Sequence, residues 1–383
     1  MSTTKIQQPV KVAIPKYIDQ RNFNISTARV RELTDRFDSE TTTSFTAGKT
    51  IIFKFPRTNQ ILNGGINFIA TQAALAQSGG SYVRFQNLFS SMFKEIRWRI
   101  NDSDWIRIQY ADLYFLKQFR NKPTLELANL GTDPTVSGSC GWETSASNRN
   151  TYGASTQYIK FPIDLPGLSY DQEQGRKFYW SLADNDITLE IDLLTDAEAL
   201  QSDGTISSGI SLSNVELQYS YLAPLPDDAT DYNIIRQMLN SQSEINFNAE
   251  NINQMDSYSL AASTQYNKKI NFNAHSIKSI YFYHILSTKY RSAASTNDYE
   301  AMQDDLYDTY NFTVNNADFF RKDHRWRYDA FDDYNKAIGS LYDQSHTPYL
   351  TKSIFETSDA TIIACNFVPV KNEGIYPIWQ GLD

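Results

Sequence analysis

Short stretches of alternating apolar and polar residues recur along most of this chain, separated by polar turns. Thr50-Ile-Ile-Phe-Lys-Phe55 stops at Pro56, and Ile66-Asn-Phe-Ile-Ala70 follows Gly64-Gly65. Residues 93–100, Phe-Lys-Glu-Ile-Arg-Trp-Arg-Ile, alternate with period two. That spacing puts Ile96, Trp98 and Ile100 on one face of a strand and Phe93 apart from it. Residues 186–193 and 213–221 alternate in the same way. Strand signals resume at 270–272, 276–285, 310–321 and 361–368. Helical spacing is confined to short pieces. Ile234, Ile235, Met238 and Leu239 form one stripe, residues 26–37 could add a short helix, and the acidic segment 297–307 could be another. Many short strands, long polar loops and few helices predict an all-β chain with a few short helices, built as sandwiches of jelly-roll type.

One pattern occurs twice. Trp98-Arg-Ile-Asn101-Asp102-Ser-Asp104-Trp105-Ile-Arg107 is matched by Phe312-Thr-Val-Asn315-Asn316-Ala-Asp318-Phe319-Phe-Arg321. Each reads as a strand, a tight polar turn and a returning strand, with Asn and Asp tolerating positive φ in the turn. Each leads into an aromatic segment, Tyr110 to Phe119 in the first and Tyr328 to Asn335 in the second. The separation, about 200 residues, far exceeds the 20–50 of a solenoid repeat. One β-rich domain made twice is the expectation.

Composition and punctuation then divide the chain. Residues 1–18 hold Lys5, Lys11 and Lys16 and no acid, and Pro9 and Pro15 prevent one long helix. We read 1–39 as an N-terminal arm and 40–225 as a first β domain, with a Gly/Ser/Thr/Asn-rich surface loop at 129–156. Ala223-Pro-Leu-Pro226 marks a stop, so 226–242 is a linker helix and 243–383 the second β domain. At 383 residues there is room for both cores.

Aromatics make up 14% of the chain, with 24 Tyr and 22 Phe, a bias towards strands and extensive packed surfaces. A net charge of −9 argues against a sequence-independent nucleic-acid binder. Cys140 and Cys365 cannot make a disulfide framework and are read as reduced thiols of a protein made in cytoplasm. No apolar run approaches the roughly 20 residues of a membrane helix, and no secretory signal is expected.

Little else in the sequence points to chemistry. Ala47-Gly48-Lys49-Thr50 has the tail of a phosphate-binding loop, but Thr43 stands where its first glycine belongs and a β-rich run follows. His275, His284, His324 and His346 show no metal-ligand spacing. No Gly-x-Ser-x-Gly elbow is present, and Asp304/Asp305 and Asp332/Asp333 are merely sequence neighbours. No catalytic, cofactor-binding or metal-binding residue is expected. The basic cluster Arg321-Lys-Asp-His-Arg325-Trp326-Arg327 stands out, and it could meet a neighbouring subunit or nucleic acid, or be a solvated loop held by adjacent Asp residues.

Two β-rich halves joined near residue 225 resemble the double jelly-roll major capsid proteins of tailless icosahedral DNA viruses and phages. That lineage includes adenovirus hexons, tectivirus-like phages and the large nucleocytoplasmic DNA viruses. The segments similar to family elements are 91–106, a hairpin of the first roll, and 210–221, like the strand that closes it. Where many family hairpins carry glycine, this chain has Asp102-Ser103. The resemblance implies a homotrimeric, pseudo-hexameric capsomer that self-assembles into an icosahedral virion shell. Its partners would be neighbouring capsomers, minor capsid or penton and spike proteins, and an internal lipid membrane, with no sequence-specific nucleic acid. It further implies that Lys5, Lys11, Lys16 and Arg21 face inwards, towards neighbouring capsomers or a membrane. Arg325, Trp326 and Arg327 would supply subunit contacts. The alternative is a receptor- or carbohydrate-binding β-sandwich of a viral spike or fibre, with Trp142 stacking on sugar. A glycoside hydrolase on a β scaffold is the third possibility.

Overall fold

The alternation read from the sequence is the alternation of burial. The computed structural model describes residues 30–55, 61–62, 66–86, 89–100, 103–115, 154–163, 178–179, 187–224, 267, 269, 279–283, 285, 287–297, 308–314, 317–338 and 362–367. In chain order the strands of the first half are β1 (Val30–Asp38), β2 (Phe45–Thr46), β3 (Thr50–Lys54), β4 (Ile61–Leu62), β5 (Asn67–Gln72), β6 (Ala76–Ser78), β7 (Val83–Phe85), β8 (Phe93–Ile100), β9 (Ser103–Gln109), β10 (Gln157–Pro162), β11 (Phe178–Tyr179), β12 (Ile187–Leu193), β13 (Leu200–Ser202), β14 (Thr205–Ser208) and β15 (Ser211–Pro224). Helical pieces are few among the described residues: a 3-10 turn (Phe89–Met92), α1 (111–115) and α2 (Asp196–Ala199).

The long strands pair in nested fashion, all antiparallel. β1 pairs with β15, β3 with β12, β5 with β10 and β8 with β9. Successive pairs fall alternately into two sheets, one containing β10-β5-β15 with β1 beyond, the other β3-β12-β8-β9. A long hairpin of nested pairs rolled across two sheets is a jelly roll.

Aromatic side chains fill the space between those sheets. Phe68 of one sheet meets Phe53 and Phe93 of the other edge to face, with centroids 6.4 and 5.5 Å apart. Phe93 also meets Phe161 at 5.7 Å and Phe115 at 6.1 Å. At the other end Phe55 packs on Trp98 and on Phe37. Such pairs each contribute about 0.5–1.5 kcal/mol beyond their area burial.

Two expectations are corrected here. Phe93, read as apart from the face of Ile96 and Trp98, is fully buried with them. The register explains it: Asp192 faces Glu95 but Leu193 faces Phe93, so Lys94 is an extra residue in a β-bulge. The bulge resets the alternation and turns Phe93 inwards. Residues 30–38, drawn into the arm and overlapping the short helix read at 26–37, are strand β1, in register with β15 from Val30↔Pro224 to Asp38↔Glu216. Leu33 and Phe37 are four apart, a spacing that shares a face in either conformation. The ladder to β15 and the contacts of Phe37 with Phe53, Phe55 and Tyr219 decide for strand.

The AGKT tail is a turn. Gly48 has φ +71° between β2 and β3, and its amide donates to the Leu194 carbonyl rather than opening a phosphate cradle.

In the second half, β16 (Ser279–Tyr283), β17 (Thr309–Tyr310), β18 (Thr313–Val314), β19 (Ala317–Asp318), β20 (His324–Arg325) and β21 (Ile362–Asn366) nest again. β16 pairs with β21, β17 with β20 and β18 with β19. The repeated motif is a hairpin in both places, closing at Ile100↔Ser103 and at Val314↔Ala317. Equivalent positions even repeat a side-chain contact, Arg99 to Asp104 at 3.0 Å and Thr313 Oγ1 to Asp318 at 3.3 Å. Each hairpin leads into a helix, α1 in the first half and α3 (Trp326–Ile338) in the second. Ala330, Tyr334 and Ala337 form the buried stripe of α3, which packs on β21. The segments 226–242 and 298–307, read as helical, and the loop 129–153 lie outside the described residues.

Phe93→Ala is expected to cost about 3–5 kcal/mol of stability by denaturant unfolding, because the ring touches three buried aromatics. Lys94→Ala beside it, exposed in the bulge, should stay within about 0.5 kcal/mol.

Candidate assembly interface

Segment 287–297 belongs by sequence to the second half but docks on the first roll. Its anchor is an ion pair between Arg291 Nη2 and Asp112 Oδ1 at 2.7 Å, with side-chain exposures of 13% and 0%. Tyr290 donates its hydroxyl to the same carboxylate at 3.2 Å. The Arg291 guanidinium lies 4.5 Å from the Tyr110 ring centroid, and Tyr110 stacks on Tyr290 at 6.1 Å. Burial pushes the Asp112 carboxyl above its ordinary value, and the Arg291 guanidinium opposes that shift.

Backbone geometry marks the same place. Tyr110 (φ 51°) and Arg291 (φ 47°) are two of the three described non-glycine residues in the left-handed region. Each costs on the order of 1–2 kcal/mol, a cost that the surrounding contacts must offset. A second anchor is Asn297, fully buried. Its amide donates to the carbonyls of Ala197, Glu198 and Leu200 at 2.6, 3.1 and 3.2 Å, and its oxygen accepts from Ser292 N–H. That side chain satisfies the carbonyls left open at the end of α2. The Ser202 amide also donates to the Ala294 carbonyl at 2.8 Å.

The second half has a similar buried carboxylate on α3. Asp333 Oδ2 accepts the Tyr310 hydroxyl at 2.6 Å and contacts His324 Nδ1 at 2.5 Å, while Phe320 stacks on the imidazole. Each post-hairpin helix is thus held through a buried Asp that meets a Tyr hydroxyl and basic side chains, Tyr290 and Arg291 of segment 287–297 at Asp112 and Tyr310, His324 and Lys336 at Asp333. Burial, and then Asp333, push the nearby Cys365 thiol up to about 12.

Of the residues expected at a subunit contact, Arg325 is exposed on β20, whereas Trp326 is half-buried and packs against the core at the start of α3. Arg327 lies in the first turn of that helix. Lys5, Lys11, Lys16 and Arg21 lie outside the described residues, as does Trp142. No group of three or more His, Cys, Asp or Glu is placed to hold a metal among the described residues. Sequence reasoning missed Asp112 and Arg291. The available signal was a single acid inside the apolar run Ala111-Asp112-Leu113-Tyr114-Phe115.

Asp112→Ala should destabilise the protein by about 3–5 kcal/mol in denaturant unfolding, because it leaves the Arg291 guanidinium buried and unpaired. Replacing both residues with apolar ones of similar size should cost less than the sum of the single changes. In a Cys140→Ser chain, Cys365 should ignore Ellman's reagent at pH 8 until the protein is unfolded, because a thiol with a raised pKa supplies no thiolate. Prompt native labelling would contradict its burial.

No protein-family model matches the sequence, and no curated protein matches it. Solved structures do. VP54 of PBCV-1, fitted into a cryo-EM reconstruction of the virophage Sputnik, is similar with a TM-score of 0.60 and 12% identity, over 90% of this chain and 79% of that one. A quasi-atomic model of the PBCV-1 virus capsid gives a TM-score of 0.58 at 12% identity, with the same coverage. At such identity the likeness is one of fold: two tandem jelly rolls, the double jelly roll.

Proposed function

We propose that this chain is a major capsid protein that trimerises into pseudo-hexameric capsomers and tiles an icosahedral virion shell. The observation that carries the proposal is a double jelly roll spanning 90% of the chain, like that of the PBCV-1 capsid. The site at 287–297 supports it. A capsomer with six lobes from three chains needs its two rolls held in fixed relation, and the buried ion pair that ties segment 287–297 to the first roll supports such a tie. The nested aromatic cores leave the chemistry at the surface, where subunits meet.

Its partners are further copies of itself, with minor capsid, penton and spike proteins at the shell's vertices. Basic residues of the arm, Lys5, Lys11, Lys16 and Arg21, turn inwards to neighbouring capsomers or an internal membrane. Each such charge contributes about 1 kcal/mol against anionic lipid. The protein is made in the host cytoplasm, resides in the virion, and works without a catalytic site or cofactor.

Light scattering should find a species of about 131 kDa, three times the 43.8 kDa chain, with a hexagonal outline in negative stain. A monodisperse monomer at micromolar concentration would contradict the proposal. Deleting residues 1–20 should leave that trimer folded and block shell formation.

A further inference from the structure

Among the described side chains, arginines are paired with two exceptions. Arg36, Arg97, Arg99, Arg107 and Arg291 each meet a carboxylate, and Arg84 binds the Gln201 side chain. Among the described side chains, Arg321 and Arg325 meet none. The repeat sharpens the contrast. Arg107 sits 2.6 Å from Glu95, whereas Arg321, at the equivalent place in the second hairpin, has no acid opposite it. Lys322 is likewise exposed and unpaired.

These three cations border an open cleft of about 640 Å³ with Asp323, His324 and Asp329. Both carboxylates there are engaged by the chain itself. Asp323 accepts from Asn311 Nδ2 at 3.0 Å and Asp329 from the Arg325 amide at 2.7 Å. Flanking the cations are Phe319, 37% exposed, and Tyr328, 67% exposed, two of the three large exposed apolar side chains described. Unpaired arginine beside exposed aromatic rings is the composition of an interface hot spot.

We propose that this basic tip, the turn between β19 and β20, docks on a second copy of the chain along strand β1 and the turn after it, where Asp35, Asp38 and Glu40 are exposed at the edge of the sheet. Those carboxylates are exposed and meet no cationic side chain among the described residues, while the one arginine between them, Arg36, is taken by Glu216. On the β8, β9 and β12 face the carboxylates are already neutralised, Glu95, Asp104, Glu190 and Asp192 pairing with Arg97, Arg99 and Arg107, while Asp196, Glu198 and Asp203 accept hydrogen bonds from the chain itself. A chain of net charge −9 is repelled by nucleic acid but offers acid to its own basic tip. Tip and edge are different surfaces, so the contact is head-to-tail and can close into a ring. The inference rests on the capsomer reading and specifies which faces join.

The test uses the full chain in light scattering at low and high salt. The triple variant Arg321→Glu, Lys322→Glu, Arg325→Glu should lose the 131 kDa species and run as the 43.8 kDa monomer, with unchanged circular dichroism and thermal unfolding. Adding Asp35→Lys, Asp38→Lys and Glu40→Lys to the same chain should restore the trimer. Raising salt should weaken the wild-type trimer, because the contact is between surface charges. If the wild type is trimeric and the triple variant remains so, or if the six-fold swap fails to restore a lost trimer, this docking is wrong while the capsomer reading stands. If the triple variant loses only binding to a single-stranded oligonucleotide, the tip serves nucleic acid and the proposal falls. A monomeric wild type overturns the capsomer reading and this contact together.

Discussion

Phe93 stands where the two sheets of the first roll, helix α1 and the outer strand β10 all converge. It touches Phe68, Phe115 and Phe161, and Phe68 passes the packing on to Phe53. Edge-to-face contact between rings on opposite sheets sets their separation and their stagger together. The bulge at Lys94 exists in service of that contact: without the extra residue, a ring at position 93 would point to solvent. The same bulge presents the Lys94 carbonyl to Arg291 Nη2 at 3.5 Å. The aromatic core of one roll and the docking of the other half therefore share a strand.

Much of this was legible in the residue pattern. The duplicated hairpin carried its own turn and register at Asn101-Asp102 and again at Asn315-Asn316, so two β-rich halves could be read before any contact was known. The alternation at 186–193 and 213–221 likewise needed no tertiary information. What resisted reading was non-local. Leu33 and Phe37 fit a helix face and a strand face equally well, and only the partner β15, almost two hundred residues downstream, selects between them. Phe93 broke the period because a bulge is a property of a pair of strands. Asp112 and Arg291 lie 179 positions apart, so neither announced the other.

Charge is distributed to the same logic. On the outer face of β8, β9 and β12, arginines and carboxylates alternate across strands, with Arg97 reaching Glu190 and Asp192, both at 3.1 Å. These partly buried pairs satisfy the charges of that face from within the chain. Where pairing stops, at the turn between β19 and β20 and along β1, the surface keeps complementary charges that suit another copy of the chain. A fold made twice has then diverged in one respect: its first hairpin is neutralised from within and its second is not.

The most direct test of two rolls with one wrapping is a density map of the purified chain at side-chain resolution over residues 243–383. Strands of that half should pair in nested order across two facing sheets, with the 312–321 hairpin occupying the place that 98–107 holds in the first. A second half of different topology, or one continuous sandwich shared by both halves, would contradict the account.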